Sequence, residues 1–209
     1  AIPVEPDPEA INRYFHFRFV PEPATPLRGV RKLQAGHVLA LSPESPWHVP
    51  QRYWDVSAVP PLAGNPVEIV HADLEDIGRI IVRSDVPVGV ALSGGLDSSV
   101  VASLAARYSA QQVTAFSVGY EGRPAYDERR DAGAFAAHLG IGMVEVELAA
   151  GDVVSGFEGL VADMGEPIAD AAGSSYRAVM RAARDAGVKV MFQGQGADEL
   201  FWSYGWMRQ

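Results

Sequence analysis

Cysteine is absent from the 209-residue sequence, and its absence excludes several kinds of site. A chain without thiols forms no disulfide, holds no thiolate zinc site and has no cysteine nucleophile. Basic residues are also outnumbered, with 17 Lys and Arg against 26 Asp and Glu and a net charge of −9. Because the phosphate backbone of nucleic acid is itself negative, we do not expect nucleic acid as the main partner.

Long apolar runs are missing too. No stretch reaches the roughly 20 residues needed to cross a bilayer, and the first residues lack a signal-peptide pattern. The composition is 48% hydrophobic and 21% charged, which is typical of a soluble globular protein. We therefore expect a cytoplasmic protein that does not contact a membrane.

Proline is rare in the last two thirds of the chain, because twelve of the fifteen prolines lie in residues 1–66. Proline fixes φ and removes a backbone donor, so it works against regular structure. We expect residues 1–66 to form an irregular arm with a short helix over 9–20 and a hairpin of short strands at 37–41 and 52–55. Residues 67–209 are expected to form the regular domain.

After the proline-rich arm, buried strands alternate with amphipathic helices. Alternation of this kind predicts an α/β fold, a doubly wound parallel sheet with helices on both faces. Ligands of such sheets bind at the carboxyl ends of the strands. The predicted strands are 86–92, 112–118, 143–147 and 188–192, and the predicted helices are 67–83, 97–107, 127–139, 152–163 and 174–186.

One glycine-rich stretch, Ser93-Gly94-Gly95-Leu96-Asp97-Ser98-Ser99, lies between a buried strand and a helix. A loop in that context directs free backbone N–H groups and the positive end of the helix at one point, which favours an anion. It is not a Walker A loop, because no Lys or Arg occurs from residue 84 to 106. Asp97 stands where an anion should bind, so a divalent cation between the two is the simplest arrangement.

A second stretch, Gln193-Gly194-Gln195-Gly196-Ala197-Asp198-Glu199, also follows a strand and opens a helix. Both loops are expected at the same edge of the sheet, with Asp97 and Asp198 sharing one Mg²⁺ across bound phosphates. Helix capping and first-turn charge are the alternative explanations for Asp198 and Glu199.

The first loop, behind its hydrophobic strand, resembles the pyrophosphate-binding loop of the N-type ATP pyrophosphatases, which have the adenine nucleotide alpha hydrolase-like fold. Three further stretches extend the resemblance to glutamine-dependent asparagine synthetase: Arg52-Tyr53-Trp54-Asp55, Val86-Pro87-Val88-Gly89 and Gly196-Ala197-Asp198-Glu199-Leu200-Phe201. The resemblance implies ATP and Mg²⁺ as cofactors, and a carboxylate substrate, aspartate, that forms an acyl-adenylate with release of pyrophosphate. Ammonia or another amine then displaces AMP and gives an amide.

The resemblance also assigns roles by position. It implies that the metal is held by Asp97 and Asp198, that these two and Gln195 form the catalytic set, and that residues 116–118 read adenine through backbone groups. Apart from the resemblance, Arg129 and Arg130 are expected on a helix surface, and an approach to the nucleotide beside Tyr126-Asp127-Glu128 is the alternative. The pyrophosphate ligands implied are Ser93, Gly94, Gly95, Asp97, Ser98 and Ser99, and the adenosine contacts are Ala91, Val118 and Gly194.

The sequence also departs from the family pattern. Gln195 is neutral where the family has an acid, and the cysteine of the family's glutaminase domain is missing. The family's catalytic lysine comes later than Trp206, so we expect a synthetase domain that is incomplete at its C-terminus. A glutaminase domain or companion chain, and a homo-oligomer, are partners left open.

Two other functions stay open on these residues. A β-lactam synthetase or peptide macrocyclase would form the same adenylate and use an amine of its own substrate. A nucleotide-binding module without turnover would keep the loop and lack the reaction.

Overall fold

The computed structural model describes residues 4–44, 49–167, 169–170 and 172–201. Its internal contacts divide the chain into two units, of which the first combines residues 1–63 with 158–171. The second combines 64–157 with 172–209. The sequence analysis placed the division at residue 66 and did not assign 158–171 to the first unit. Which parts of the chain fold independently stays a prediction.

The first unit contains the predicted short helix. Helix α1 covers Pro8–Phe17, and Asp7 caps it by accepting the N–H groups of Glu9 and Ala10 at 3.0 and 3.3 Å. It ends at Arg18, whose φ of 65° is left-handed, and so it is shorter than the sequence indicated.

The predicted hairpin of the first unit is reduced to two residues on each side. Strand β1, His37–Val38, pairs antiparallel with β2, Gln51–Arg52. Pro50 comes directly before β2 and cannot donate to the ladder, which limits its extension past Val38 and Gln51. Residues 45–48 of the predicted turn lie outside the described residues.

The second unit contains the parallel sheet. The strands are β3 (Val88–Ala91), β4 (Val113–Tyr120), β5 (Gly142–Leu148) and β6 (Val190–Phe192). They stand in the order β5-β4-β3-β6, and all three neighbouring pairs are parallel. The remaining helices of the chain are α2 (Pro66–Ile81), α3 (Leu96–Tyr108), α4 (Arg129–Leu139), α5 (Ala150–Met164), α6 (Ala172–Asp185) and α7 (Ala197–Phe201).

Apolar side chains cover the sheet on two faces. Ala115 of β4 packs in a cluster with residues of α3 and α4, whereas its neighbour Phe116 packs in another cluster with Val179 and Ala183 of α6. Successive residues of a strand point to opposite faces, so these clusters lie on opposite sides of the sheet. The predicted fold class, a parallel sheet with helices on both faces, is confirmed.

The strand register places the candidate loops together at one edge. Val88 is aligned with Val113 of β4 and with Val190 of β6. Because the three strands run in the same direction, the segments that follow them all leave the sheet at its carboxyl edge. Within the described residues, no helix has the length and apolar character required to cross a bilayer.

Candidate functional site

A cleft of about 320 Å³ opens at the carboxyl edge of the sheet. Three strand ends and the start of α6 contribute to its walls. The lining residues are Ala91, Leu92, Ser93, Ser98, Phe116, Ser117, Val118, Gly119, Tyr120, Tyr126, Asp127, Glu128, Ala172, Ser175, Tyr176, Val179, Gln193, Gly194 and Gln195.

The loop after β3 is held by its own serine hydroxyls. Ser98, which is buried, accepts the N–H of Ser93 at 3.2 Å and donates to the carbonyl of Gly95 at 3.1 Å. Ser93 Oγ lies 3.0 Å from Ser98 Oγ and accepts the N–H of Gly95 at 3.2 Å. Ser99 donates to the same carbonyl of Gly95 at 2.8 Å. These bonds fix the shape of the loop without any charged group.

The start of α3 differs from those of α1 and α2. Asp7 caps α1 and Asn65 caps α2, whereas the residue preceding α3 is Gly95 and no side chain in the described part of the chain caps that helix. The N–H groups of its first turn therefore lack a side-chain acceptor. A helix start of this kind favours a bound anion through both its N–H groups and its dipole.

The second loop contacts the first directly. A Cβ built on Gly194 would lie 2.6 Å from both the carbonyl carbon of Asp97 and the nitrogen of Ser98. Only glycine permits this approach, because any side chain would collide with backbone. Gly94 is similarly restricted, with φ at +82° and its Cβ position 3.3 Å from the backbone nitrogen of Ala132 in α4.

The carboxylates predicted to hold a metal lie in the first turns of two helices. Asp97 is half-buried in α3, and Asp198 is half-buried in α7. Across the described ranges, no three His, Asp or Glu side chains are grouped as metal ligands. A two-carboxylate Mg²⁺ site remains a prediction. The carboxylates of Asp97 and Asp198 suit such a site chemically, since Mg²⁺ is commonly held by one or two carboxylates together with substrate phosphates and water.

The charged residues that line the cleft also favour the binding of a cation. Among the residues that the structure describes, no Lys or Arg lines the cleft, whereas Asp127 and Glu128 do. A polyphosphate in such surroundings needs a counter-charge from elsewhere.

The sequence-predicted site residues fall into two groups. One group lines the cleft: Ala91, Ser93, Ser98, Val118, Gly194 and Gln195. The other group belongs to the same two loops or their helix starts without lining the cleft: Gly94, Gly95, Asp97, Ser99 and Asp198.

The wall formed by the end of β4 and the segment after it was not assigned to the site by the sequence analysis. It includes Tyr120, Tyr126 and Asp127, and it depends on Arg129, which is only 2% exposed. The placement of Arg129 on a helix surface was therefore wrong, although Arg130 is exposed as expected. A local signal existed in Asp127, two residues before an arginine at a helix start.

Each guanidinium nitrogen of Arg129 donates to a nearby oxygen, and Nε donates to Asp127 Oδ1 at 2.9 Å. Its Nη2 donates to Asp127 Oδ2 at 2.6 Å and to the carbonyl of Tyr120 at 3.1 Å, and its Nη1 donates to Glu147 Oε2 at 3.1 Å. Gly119 has to be glycine, because a Cβ there would collide with this guanidinium and with Asp127.

The pair of Asp127 and Arg129 stays ionised over the neutral range. The hydrogen bond from Arg129 is the largest cause that lowers the pKa of Asp127, from 3.8 to about 2. The same hydrogen bond raises the pKa of Arg129 above its ordinary value. The wall of the cleft is thus held by an ion pair of which both partners are buried, with side chains 2% and 6% exposed.

The side of the cleft that α6 forms is more apolar than the wall that Arg129 holds. Val179 and Tyr176 of α6 line it, and Tyr120 links the two sides through a 3.0 Å contact between its hydroxyl and that of Ser175. The rings of Tyr120 and Tyr126 meet edge to face with centroids 6.4 Å apart. An apolar, aromatic half beside a polar, N–H-rich half suits a ligand with a flat ring and an anionic tail.

Comparison with known proteins gives consistent matches. The family model described as asparagine synthase matches residues 70–209. A Mycobacterium tuberculosis protein named as a candidate glutamine-hydrolysing asparagine synthetase is 35% identical over 96% of this chain and 31% of its own length. Asparagine synthetase [glutamine-hydrolyzing] 1 of Bacillus subtilis is 33% identical over 99% of this chain and 32% of its own length. The chain thus spans about a third of the curated relatives it matches.

Among solved structures, one similar chain is a glutamine-dependent NAD+ synthetase from Acinetobacter baumannii in complex with ADP. It is 22% identical, with a TM-score of 0.48, and the match covers 76% of this chain and 34% of that one.

Proposed function

The chain belongs to the asparagine synthase family, and on that premise we propose that its cleft binds Mg·ATP and activates a carboxylate for amide formation. The observation that carries the proposal is the uncapped start of α3, with the second loop packed against it through Gly194. These features put backbone N–H groups, hydroxyls and a carboxylate at the edge of one cleft.

The proposed reaction has two steps. A carboxylate oxygen of the substrate attacks the α-phosphorus of ATP, the bond to the β-phosphate oxygen breaks, and pyrophosphate leaves. An amine nitrogen then attacks the carbonyl carbon of the acyl-adenylate, AMP leaves with the bonding electrons, and the amine loses a proton. The products are an amide, AMP and pyrophosphate.

The residues of the first loop would act on the leaving pyrophosphate. The first-turn N–H groups of α3 are positioned as donors before the charge develops, which is how preorganised donors lower a barrier. Ser93 and Ser98 would hold the loop around the pyrophosphate in the shape that their own hydrogen bonds fix. Mg²⁺ held by Asp97 and Asp198 would supply positive charge to the phosphates. Ala91, Val118 and Gly194 would contact the adenosine, on the more apolar side.

Aspartate is the proposed carboxylate and ammonia the proposed amine. One observation favours a second candidate, a cyclising ligase that uses an amine of its own substrate. Gln195 lines the cleft and is exposed, and a neutral amide there cannot transfer a proton as an acid would.

Pyrophosphate release with ATP, Mg²⁺ and a panel of carboxylates distinguishes these functions. Release that depends on aspartate and ammonia supports asparagine synthesis. Release with another carboxylate and without ammonia supports the cyclising ligase. Binding of ATP without any release would contradict both and indicate a nucleotide-binding module.

The metal assignment is tested by Asp97→Ala. We expect calorimetry to show Mg·ATP affinity reduced about tenfold or more, because a carboxylate ligand to the metal is lost. Asp76→Ala is the matched control, since that carboxylate is 73% exposed on α2 and pairs with Arg79 of the same helix. Equal affinity in the Asp97 variant and the control would count against the proposed metal site.

A further inference from the structure

Ser117 is an exception among the buried polar residues. When backbone and side chain are counted together, three polar or charged residues are buried in the part of the chain that the structure describes: Ser98, Ser117 and Arg129. Ser98 and Arg129 make the hydrogen bonds given above, whereas within the described residues the hydroxyl of Ser117, 2% exposed, has no hydrogen-bond partner. Buried hydroxyls in folded proteins normally have one.

The hydroxyl of Ser117 is not sealed inside the protein. Within the described residues, no fully enclosed side-chain nitrogen or oxygen is left without a partner. Ser117 lines the cleft, so the small area it exposes lies there. A partner for this hydroxyl therefore has to come from the contents of the cleft.

The face of the sheet decides which part of a ligand Ser117 meets. Phe116 and Val118, on either side, pack in the cluster that includes α6, whereas Ala115 packs in the cluster that includes α3 and α4. By the alternation of a strand, Ser117 shares the face of Ala115. That is the face on which the first loop enters α3, opposite to the apolar half of the cleft.

We propose that Ser117 donates its hydroxyl hydrogen to a phosphate oxygen of the bound nucleotide. The inference rests on the proposed function and adds a ligand from β4 to those of the two glycine loops. In the ligand-free chain the solvent in the cleft is what can reach this hydroxyl, and a phosphate oxygen is the charged acceptor that its face of the cleft would receive. Ligand binding thus replaces a bond to water with a stronger bond to a charged acceptor.

Ser117→Ala separates ligand binding from stability. We expect affinity for Mg·ATP and for pyrophosphate to fall about 10- to 100-fold, the size typical of a hydrogen bond to a charged group. Affinity for adenosine should stay unchanged. The melting temperature of the ligand-free chain should also stay the same, because the substitution removes no hydrogen bond to another described residue.

Ser109→Ala is the matched control at the other end of α3. Its hydroxyl is already satisfied, donating to the carbonyl of Gln111 and accepting its N–H, both at 3.1 Å. This variant should melt at a lower temperature and bind all three ligands as the unsubstituted chain does.

Two results would overturn the inference. If Ser117→Ala binds pyrophosphate and ATP with unchanged affinity while the unsubstituted chain binds both, the hydroxyl is not a phosphate ligand and the proposed function survives. If the unsubstituted chain binds neither ligand, the proposed function and the role of Ser117 fail together.

Discussion

Two neighbouring segments shape the cleft by different means. The loop from Ser93 to Ser99 is held by neutral hydroxyl and backbone bonds, whereas the segment from Tyr120 to Arg129 is held by a buried ion pair. Hydroxyl bonds contain no group that titrates in acid, whereas this ion pair is lost when the carboxylate of Asp127 is protonated as the pH falls toward 2. One side of the cleft can therefore be weakened through charge while the other keeps its shape.

The largest effect is expected from Arg129→Met. The substitution removes the cation and leaves the buried carboxylate of Asp127 without its partner, which is strongly destabilising. We expect the melting temperature to fall by about 10 °C or more. Thermal unfolding followed by circular dichroism measures it.

Arg130→Met is the control for that comparison, because it changes the same residue type one position later on an exposed site. It should leave the melting temperature within about 2 °C of the original. Equal losses in the two variants would mean that the ion pair does not hold the wall.

Gly194→Ala tests the uncharged side and should have the next largest effect. The new Cβ would lie 2.6 Å from backbone atoms of Asp97 and Ser98, so the two loops must separate. We expect a fall of about 5 °C in melting temperature and about tenfold weaker ATP binding. Gly156→Ala, where the Cβ would meet only a side-chain atom at 3.6 Å, should do neither.

A pH titration separates the two segments by their charge. Because the pKa of Asp127 is about 2 in the folded chain against an ordinary 3.8, its stabilisation is complete above about pH 4 and is lost as the pH falls through 2. Above pH 4, the urea midpoint of the unsubstituted chain should therefore exceed that of Asp127→Asn by its largest margin. The gap should narrow toward pH 2, and a constant gap would contradict the ion-pair assignment.

Glu147→Gln should have the smallest effect. Its carboxylate is 54% exposed, and exposed partners of an ion pair contribute little. We expect the free energy of unfolding to fall by less than about 1 kcal/mol. A loss as large as that of Arg129→Met would show that Glu147, not Asp127, is the main partner.

Local periodicity was sufficient to predict the second unit. Helix α2 was predicted over 67–83 and covers Pro66–Ile81, because an apolar stripe and a capping Asn65 define it locally. The first unit was harder to predict from the sequence. Its β strands are shorter than predicted, and it includes Glu166, which accepts from Lys32 at 2.6 Å although 134 residues separate them in the chain.

The candidate site likewise has a part that the sequence predicted and a part that it did not. Two glycine loops between strand and helix are local patterns, and the sequence placed both at one edge of the sheet. The burial of Arg129 depends on Glu147 and on the missing side chain of Gly119, on two neighbouring strands. Asp127, two positions away, indicates the ion pair locally, but the burial of the pair arises only when β4 and β5 pair.

The strand order has a consequence for how the cleft comes into being. Strand β3 lies between β4 and β6, and its contact with β6 joins Val88 to Val190, which are 102 positions apart. Contacts this distant in the chain form slowly, and the three strand ends meet only after the last of them has formed. Nucleotide binding should therefore report completion of folding, and a bound nucleotide should protect the whole second unit against unfolding rather than the loops alone.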